Sequence, residues 1–198
     1  MADHDSRGSG FTQEQGRLLV SLARNTISKK LGKPVADETS LEKQLTGKPF
    51  DRKCGTFVTL NKNHQLRGCI GSLSSNEAVS EGVRHNALNA AFHDSRFSPL
   101  SKDELDQVKI EVSILTEPKP LAYESSDDLI SKLRPRVDGV ILGQGYARAT
   151  FLPQVWEQVP EPEDFLTHLC RKAGLSGDAW KKSRLEVSTY QVDYFEEP

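Results

Sequence analysis

The sequence predicts an α+β fold, an antiparallel sheet flanked by helices, and three observations carry that expectation. Val108, Ile110, Val112 and Ile114 alternate with Lys109, Glu111 and Ser113, the period-two pattern of a strand buried on one face, which favours antiparallel pairing. Two stretches read as hairpins: residues 55–60 with 65–70, rich in β-branched and aromatic side chains, and the runs on either side of Gly143-Gln144-Gly145. The helical patterns do not alternate with strands in a regular βαβ repeat, so a parallel sheet is not expected.

The elements follow in order. Residues 1–10 form a Gly/Ser/Asp-rich tail expected to stay disordered, and the structured domain is expected over 11–198. Thr12 with Gln15 makes a capping-box pattern, after which Leu18, Leu19, Leu22, Ala23, Ile27 and Leu31 share one helix face until Gly32 and Pro34 end it. Residues 35–53 read as a long polar connection, followed by the first hairpin. Strand alternation there places Leu66, Gly68 and Ile70 on one face, and Arg67 and Cys69 on the other. Ser74 with Glu77 predicts a second capping box opening a helix to Phe92, whose stripe of Val79, Val83, Ala87, Ala90 and Ala91 includes one amide, Asn86. A polar loop over 93–100, a short turn of helix at 101–105 and the alternating strand come next. A helix over 125–133, the second hairpin, a Pro153-led helix with Trp156, and a helix over 161–173 carrying Phe165, Leu166, Leu169 and Cys170 lead to the final strand. Its apolar phase shifts from Leu185, Val187 and Thr189 to Tyr190, Val192 and Tyr194, which predicts a β-bulge near 188–190.

Composition bounds the function. At 198 residues, with 36% hydrophobic and 27% charged residues, the chain can bury the core of one domain or of two tightly joined lobes. A net charge of -2 supplies no overall electrostatic footprint for nucleic acid, leaving only a local basic patch open. Cys54, Cys69 and Cys170 are odd in number and widely spaced, as expected in a reducing compartment. No apolar signal segment or membrane-length run is present, so no membrane association and a cytoplasmic location are expected.

The chemistry concentrates at Leu66-Arg67-Gly68-Cys69-Ile70-Gly71-Ser72-Leu73, where a cysteine stands between two glycines that admit a backbone, a side chain or a ligand at close range. Cys69 is a candidate nucleophile, with Arg67 on its face, the Ser74 helix start nearby, and His85 or His93 as candidate bases; its other reading is a small buried hydrophobe, as free cysteines often are. Asp94 and Arg96 either line a ligand site or pair with each other and with Arg67 to fasten their loop, and Asn86 is either a ligand contact or an internal cap. Cys170 and Trp156 read as core, and no His, Cys or carboxylate spacing fits a metal site.

Six motifs in order, FVTL, LRGCIGSL, NALNAAFHDSRFSPL, IEVSIL, TFLPQVWEQ and LCRKAGL, resemble those of the AMME-chromosomal-region (AMMECR) domain family, called AmmeMemoRadiSam system protein A in bacteria and archaea. Ser95 stands where many members carry proline. The resemblance implies an α+β fold of two interwoven subdomains with the LRGCIG segment near a groove between them. It implies action beside Memo-like and radical-SAM proteins, in small-molecule or RNA modification, and it names no cofactor and no single reaction. Two classes follow for a groove built from Arg67, Gly68, Gly71, Ser72, Asn86, Asp94 and Arg96 around Cys69. One is an enzyme using the thiol. The other is a non-catalytic binding or adaptor module, for a small polar ligand or an RNA, in which Cys69 is structural.

Overall fold

The computed structural model describes residues 8–73 and 76–198. The chain divides into two compact units, one running to Leu115 and taking back Asp193–Pro198, the other comprising Thr116–Val192.

In the first unit, helix α1 (Gln13–Lys30) starts on the capping box expected from sequence, with Thr12 and Gln15 each accepting the other's backbone N–H. Residues 1–7 of the expected tail lie outside the described residues, whereas Ser9 is fixed by donating its N–H and its hydroxyl to Asp193. The presumed polar connection contains a helix, α2 (Glu38–Gln44), capped by Asp37; with Leu41 as its one buried residue, it leaves almost no apolar period to detect. Strands β1 (Thr56–Lys62) and β2 (Gln65–Ser72) form the hairpin, turned by Asn63 and His64 with φ of 53° and 61°, the pair of positive values a type I′ turn demands. Helix α3 spans Val79–Phe92 and starts later than the Ser74–Glu77 pattern predicts. Ser74 itself lies outside the described residues. The start needs no side-chain cap because the carbonyls of Arg52 and Phe50 accept the N–H groups of Val79 and Ser80. Strand β3 (Val108–Leu115) pairs antiparallel with β1, as its alternation requires.

In the second unit come β4 (Lys119–Pro120), α4 (Ser126–Lys132, capped by Ser125), β5 (Gly139–Gln144), β6 (Ala147–Phe151), a 3₁₀ turn at Pro153–Glu157, α5 (Pro162–Lys172), α6 (Ala179–Lys182) and β7 (Glu186–Tyr190). Strand β8 (Val192–Glu196) returns to the first unit's sheet. The sheets run β2-β1-β3-β8 and β4-β7-β5-β6. The phase shift read as a bulge in one strand is therefore a change of sheet at Gln191, whose N–H and C=O are both taken by Thr116. After that break the buried positions are Asp193 and Phe195, not Val192 and Tyr194.

Each unit has its own core. Leu19, Leu22 and Ile27 of α1 meet Val83 and Ala87 of α3 and Val58, Leu60, Ile110 and Val112 of the sheet, all at most 1% exposed. In the other, the Trp156 indole stacks on Phe165 with centroids 3.7 Å apart beside Leu166, Leu169 and Cys170, which confirms the core reading of Trp156 and Cys170. Burying one such side chain stabilises the fold by roughly 1.5–3 kcal/mol.

Candidate functional site

Strand β2 is an edge of its sheet, and most of the predicted residues lie on it or on the loop after α3. Its pairing with β1 is interrupted once: Leu60 opposes Gly68 while Asn61 opposes Leu66, leaving Arg67 as the extra residue of a bulge. The simple alternation expected from sequence thus fails at Arg67. Leu66 becomes 43% exposed, while Arg67 and Gly68 are both buried. A Cβ at Gly68 would sit 2.3 Å from the Ala90 carbonyl oxygen of α3, and one at Gly71 would sit 2.3 Å from the Phe57 ring. The openings at both glycines are filled by the protein itself, which brings α3 directly onto β2.

Cys69 opposes Thr59. Its N–H and C=O point away from β1 to the free edge, where Asp94 Oδ2 accepts the N–H at 2.9 Å and Arg96 Nη2 donates to the carbonyl at 3.2 Å. The carboxylate–guanidinium pair therefore does at this residue what a neighbouring strand would do, and it blunts an open sheet edge. Asp94 also accepts from Arg96 Nε at 2.9 Å, Nη2 at 2.7 Å and the backbone N–H at 3.1 Å. Its side chain is 3% exposed against 54% for Arg96. The Arg96 guanidinium, helped by the N–H of Cys69, holds the Asp94 carboxyl far below the usual carboxylate range, and Asp94 in turn raises Arg96. A pair of residues opposed but not exchanging backbone bonds brings its side chains close, and Thr59 Oγ1 donates to the half-buried Cys69 Sγ at 3.3 Å.

Arg67 is engaged elsewhere. Its Nε and Nη2 reach Glu104 at 3.1 and 3.0 Å, and Nη2 also donates to the Ser98 carbonyl, while Nη1 is buried with no hydrogen-bond partner among the described residues. The Arg67 hydrogen bonds, with Lys62 adding its own, bring Glu104 down to about 2. Arg67 and Arg96 both approach the Phe97 ring, at 5.7 and 5.4 Å.

The other predicted residues are placed as follows. Asn86 is buried and donates to the Thr56 carbonyl and hydroxyl, tying α3 to β1. Ser72 ends β2, exposed, opposite Thr56. His85 pairs through Nδ1 with Glu77 at 2.8 Å on the solvent side of α3, and His93 is exposed at that helix's end. Among the described residues the hydrogen-bond partner of the Cys69 thiol is Thr59, and neither histidine contacts it. Burial pushes the thiols of Cys54 and Cys170 up. Among the described residues no group of three His, Cys, Asp or Glu side chains could hold a metal ion.

Sequence reasoning missed Glu104, Ser98 and Thr59. None left a usable signal: counting back from the Lys62–Gln65 pair at the hairpin turn sets Thr59 against Gly68, and the bulge at Arg67 is what brings it opposite Cys69. What the arrangement offers chemically is a half-buried cysteine on a backbone fixed at both its N–H and its C=O. Beside it stands a guanidinium able to meet an anion or a carbonyl oxygen.

The chain is similar to an uncharacterised protein of Pyrococcus horikoshii of known crystal structure, at 32% identity and a TM-score of 0.77, covering 93% of this chain and 92% of that one. Proteins of Thermofilum pendens and Methanothermobacter thermautotrophicus are each 38% identical, over 94% of this chain and 92% and 96% of their own lengths. The AMMECR1 family pattern matches residues 20–195. With the six motifs in order on an α+β fold and relatives aligned nearly end to end, the chain belongs to the AMMECR1 family.

Proposed function

We propose that the LRGCIGSL edge forms a ligand-binding and catalytic site in which Cys69 is a covalent nucleophile, toward an acyl-type or nucleobase-type electrophile of a small molecule or an RNA. The observation that carries this reading is the two-sided clamp on Cys69: a buried carboxylate and its guanidinium fix the main chain of a half-buried cysteine. In acyl transfer, the sulfur forms the S–C bond to the carbonyl carbon and the leaving group departs with the electron pair and a proton. Water then cleaves the thioester. Arg96, rather than the helix start expected at Ser74, is the group positioned to meet developing negative charge. The family resemblance further supports action beside Memo-like and radical-SAM partners. The free cysteines support a reducing, cytoplasmic location, and no helix of the described residues is long and apolar enough to cross a membrane.

The test is the pH dependence of alkylation at each cysteine of the folded chain, read by peptide mass spectrometry. Cys69 is expected to react at least tenfold faster at neutral pH than Cys54 and Cys170, whose thiols burial raises. A Cys69 protected until the protein unfolds would sink the proposal and favour a binding or adaptor module. That second reading draws on the filled openings at Gly68 and Gly71. It expects Cys69→Ser to be silent and Arg96→Ala to weaken ligand binding.

A further inference from the structure

The bulge in β2 leaves one buried group unsatisfied. Turned inward as the extra residue of the strand, Arg67 is only 9% exposed, and the Nε–Nη2 edge of its guanidinium is fully used on the Glu104 carboxylate and the Ser98 carbonyl. Nη1 carries two further N–H groups, is buried, and has no hydrogen-bond partner among the described residues. The Phe97 ring, 5.7 Å from the guanidinium carbon, attracts the charge but offers these N–H groups no lone pair. Buried donors of charged groups are the costliest to leave unmade, so an acceptor belongs at this position.

The charges bonded into this cluster select the kind of acceptor. Lys62, Arg67 and Arg96 are three cations, and the carboxylates they hold, Glu104 and Asp94, are two. Both carboxylates stay ionised at neutral pH, because the same cations keep them below the usual range, at about 2 for Glu104. The cluster therefore carries one positive charge more than it balances, which favours an oxyanion over a neutral acceptor. Arg96 supplies a second donor edge. It stands 5.4 Å from the same Phe97 ring, and Asp94 and the Cys69 carbonyl occupy its Nε and Nη2, which leaves Nη1 of a side chain more than half in solvent.

We propose that Arg67 Nη1 and Arg96, gathered at the Phe97 ring, form an oxyanion subsite that holds the phosphate group of a phosphate monoester. The inference deepens the reading above by naming the class of its substrate, and it rests on that reading for the thiol that the bound molecule meets. The four N–H groups of the two Nη1 atoms match the three terminal oxygens of a phosphate monoester better than the two of a carboxylate. Arg67 lies two residues before Cys69 on β2, and Arg96 touches Cys69 through its carbonyl, so a phosphate held by the pair sets the rest of its molecule beside the thiol. Entry is by way of the 95–99 loop. Ser95, Arg96, Ser98 and Pro99 are exposed there, and the loop meets the buried guanidinium through the Phe97 ring and the Ser98 carbonyl.

The experiment is calorimetric titration of the full chain with inorganic phosphate at neutral pH and constant ionic strength, with acetate as the carboxylate probe. It is run on the parent protein and on Arg67→Lys, Arg96→Gln and Arg134→Lys. The parent should bind a single phosphate, and acetate about tenfold more weakly. Arg67→Lys keeps a cation for Glu104 but has no Nη1, and should weaken phosphate about tenfold. Arg96→Gln, at the more exposed edge, should weaken it about fivefold. Arg134→Lys alters an aspartate–arginine pair in the other unit and should bind phosphate as the parent does. If the urea midpoint shows Arg67→Lys to be unfolded, Arg96→Gln against Arg134→Lys decides. A parent that binds no phosphate, or binding that neither Arg67→Lys nor Arg96→Gln weakens, overturns the subsite. Acetate bound as tightly as phosphate overturns the phosphate assignment. Alkylation of Cys69 judges the thiol separately. A reactive Cys69 in a chain that binds no phosphate sinks the subsite alone, whereas phosphate bound by a chain whose Cys69 is protected until unfolding sinks the nucleophile and leaves the subsite to a binding module.

Discussion

Two loops of this molecule use the same device to different ends. In one unit Asp94 is gripped by Arg96; in the other Asp138 is gripped by Arg134. Each carboxylate is buried, 3% and 2% exposed, under a guanidinium more than half in solvent, 54% and 58%. Each accepts the backbone N–H, Nε and Nη2 of its arginine. They differ in what else they hold. The Asp138 pair closes on its own loop, whose backbone also bonds Asp138 N–H to the Arg134 carbonyl and takes the Trp156 Nε1–H on the Asp138 carbonyl. Asp94 accepts a fourth bond from Cys69, 25 residues earlier in the chain, and Arg96 returns one to the Cys69 carbonyl. Burial and ion pairing alone therefore do not separate a fastener from part of a site; the residue at the far end of the extra bonds does.

The comparison breaks most sharply with Asp94→Asn against Asp138→Asn. Both neutralise a buried carboxylate that accepts several N–H groups from a partly solvated arginine, and each should cost about 2–3 kcal/mol in urea denaturation. Only Asp94→Asn should also change the alkylation rate at Cys69, by at least tenfold, with Asp138→Asn staying within twofold. Equal effects of the two variants on the thiol would erase the distinction. Next in size is Glu104→Gln, expected to cost about 2 kcal/mol, since Glu104 carries the paired charge of the buried Arg67. The pH dependence has a defined sign. Asp94 and Glu104 are both depressed in the fold, so their stabilisation is complete above the unfolded carboxylate range of about 4 and is lost as pH falls through their folded values, about 2 for Glu104. Urea midpoints measured from pH 5 to pH 2 should fall steeply in the parent protein and more shallowly in both variants.

How much of this was legible depends on how local the cause is. The capping box at Thr12, the alternation of β3 and the apolar face of α5 are written within one element, and the sequence shows them directly. The bulge at Arg67 is not, because an extra residue in a strand leaves no mark until the partner strand fixes the register. The change of sheet at Gln191 did leave a mark, a phase shift, but one strand with a bulge and two strands in different sheets give the same pattern. At the site, Asp94, Arg96 and Cys69 were legible by residue type, and the Asp94–Arg96 pair by proximity. Glu104, 37 residues from the Arg67 it neutralises, was not, nor was the filling of the Gly68 opening by the Ala90 carbonyl.

The finest test of the comparison keeps the charge and removes only the fork. Arg96→Lys and Arg134→Lys each preserve a cation beside the carboxylate but lose the planar, two-nitrogen grip, a change that should cost about 1 kcal/mol for side chains this exposed. Global stability should not tell the two variants apart. Hydrogen exchange at the edge of β2 should, because lysine at position 96 cannot serve both Asp94 oxygens and the Cys69 carbonyl as arginine does. If that 1 kcal/mol is lost locally, the Cys69 amide should exchange about fivefold faster in Arg96→Lys and at the parent rate in Arg134→Lys. An amide indifferent to both would mean that Asp94 alone holds the edge, with the guanidinium of Arg96 left free to meet a ligand.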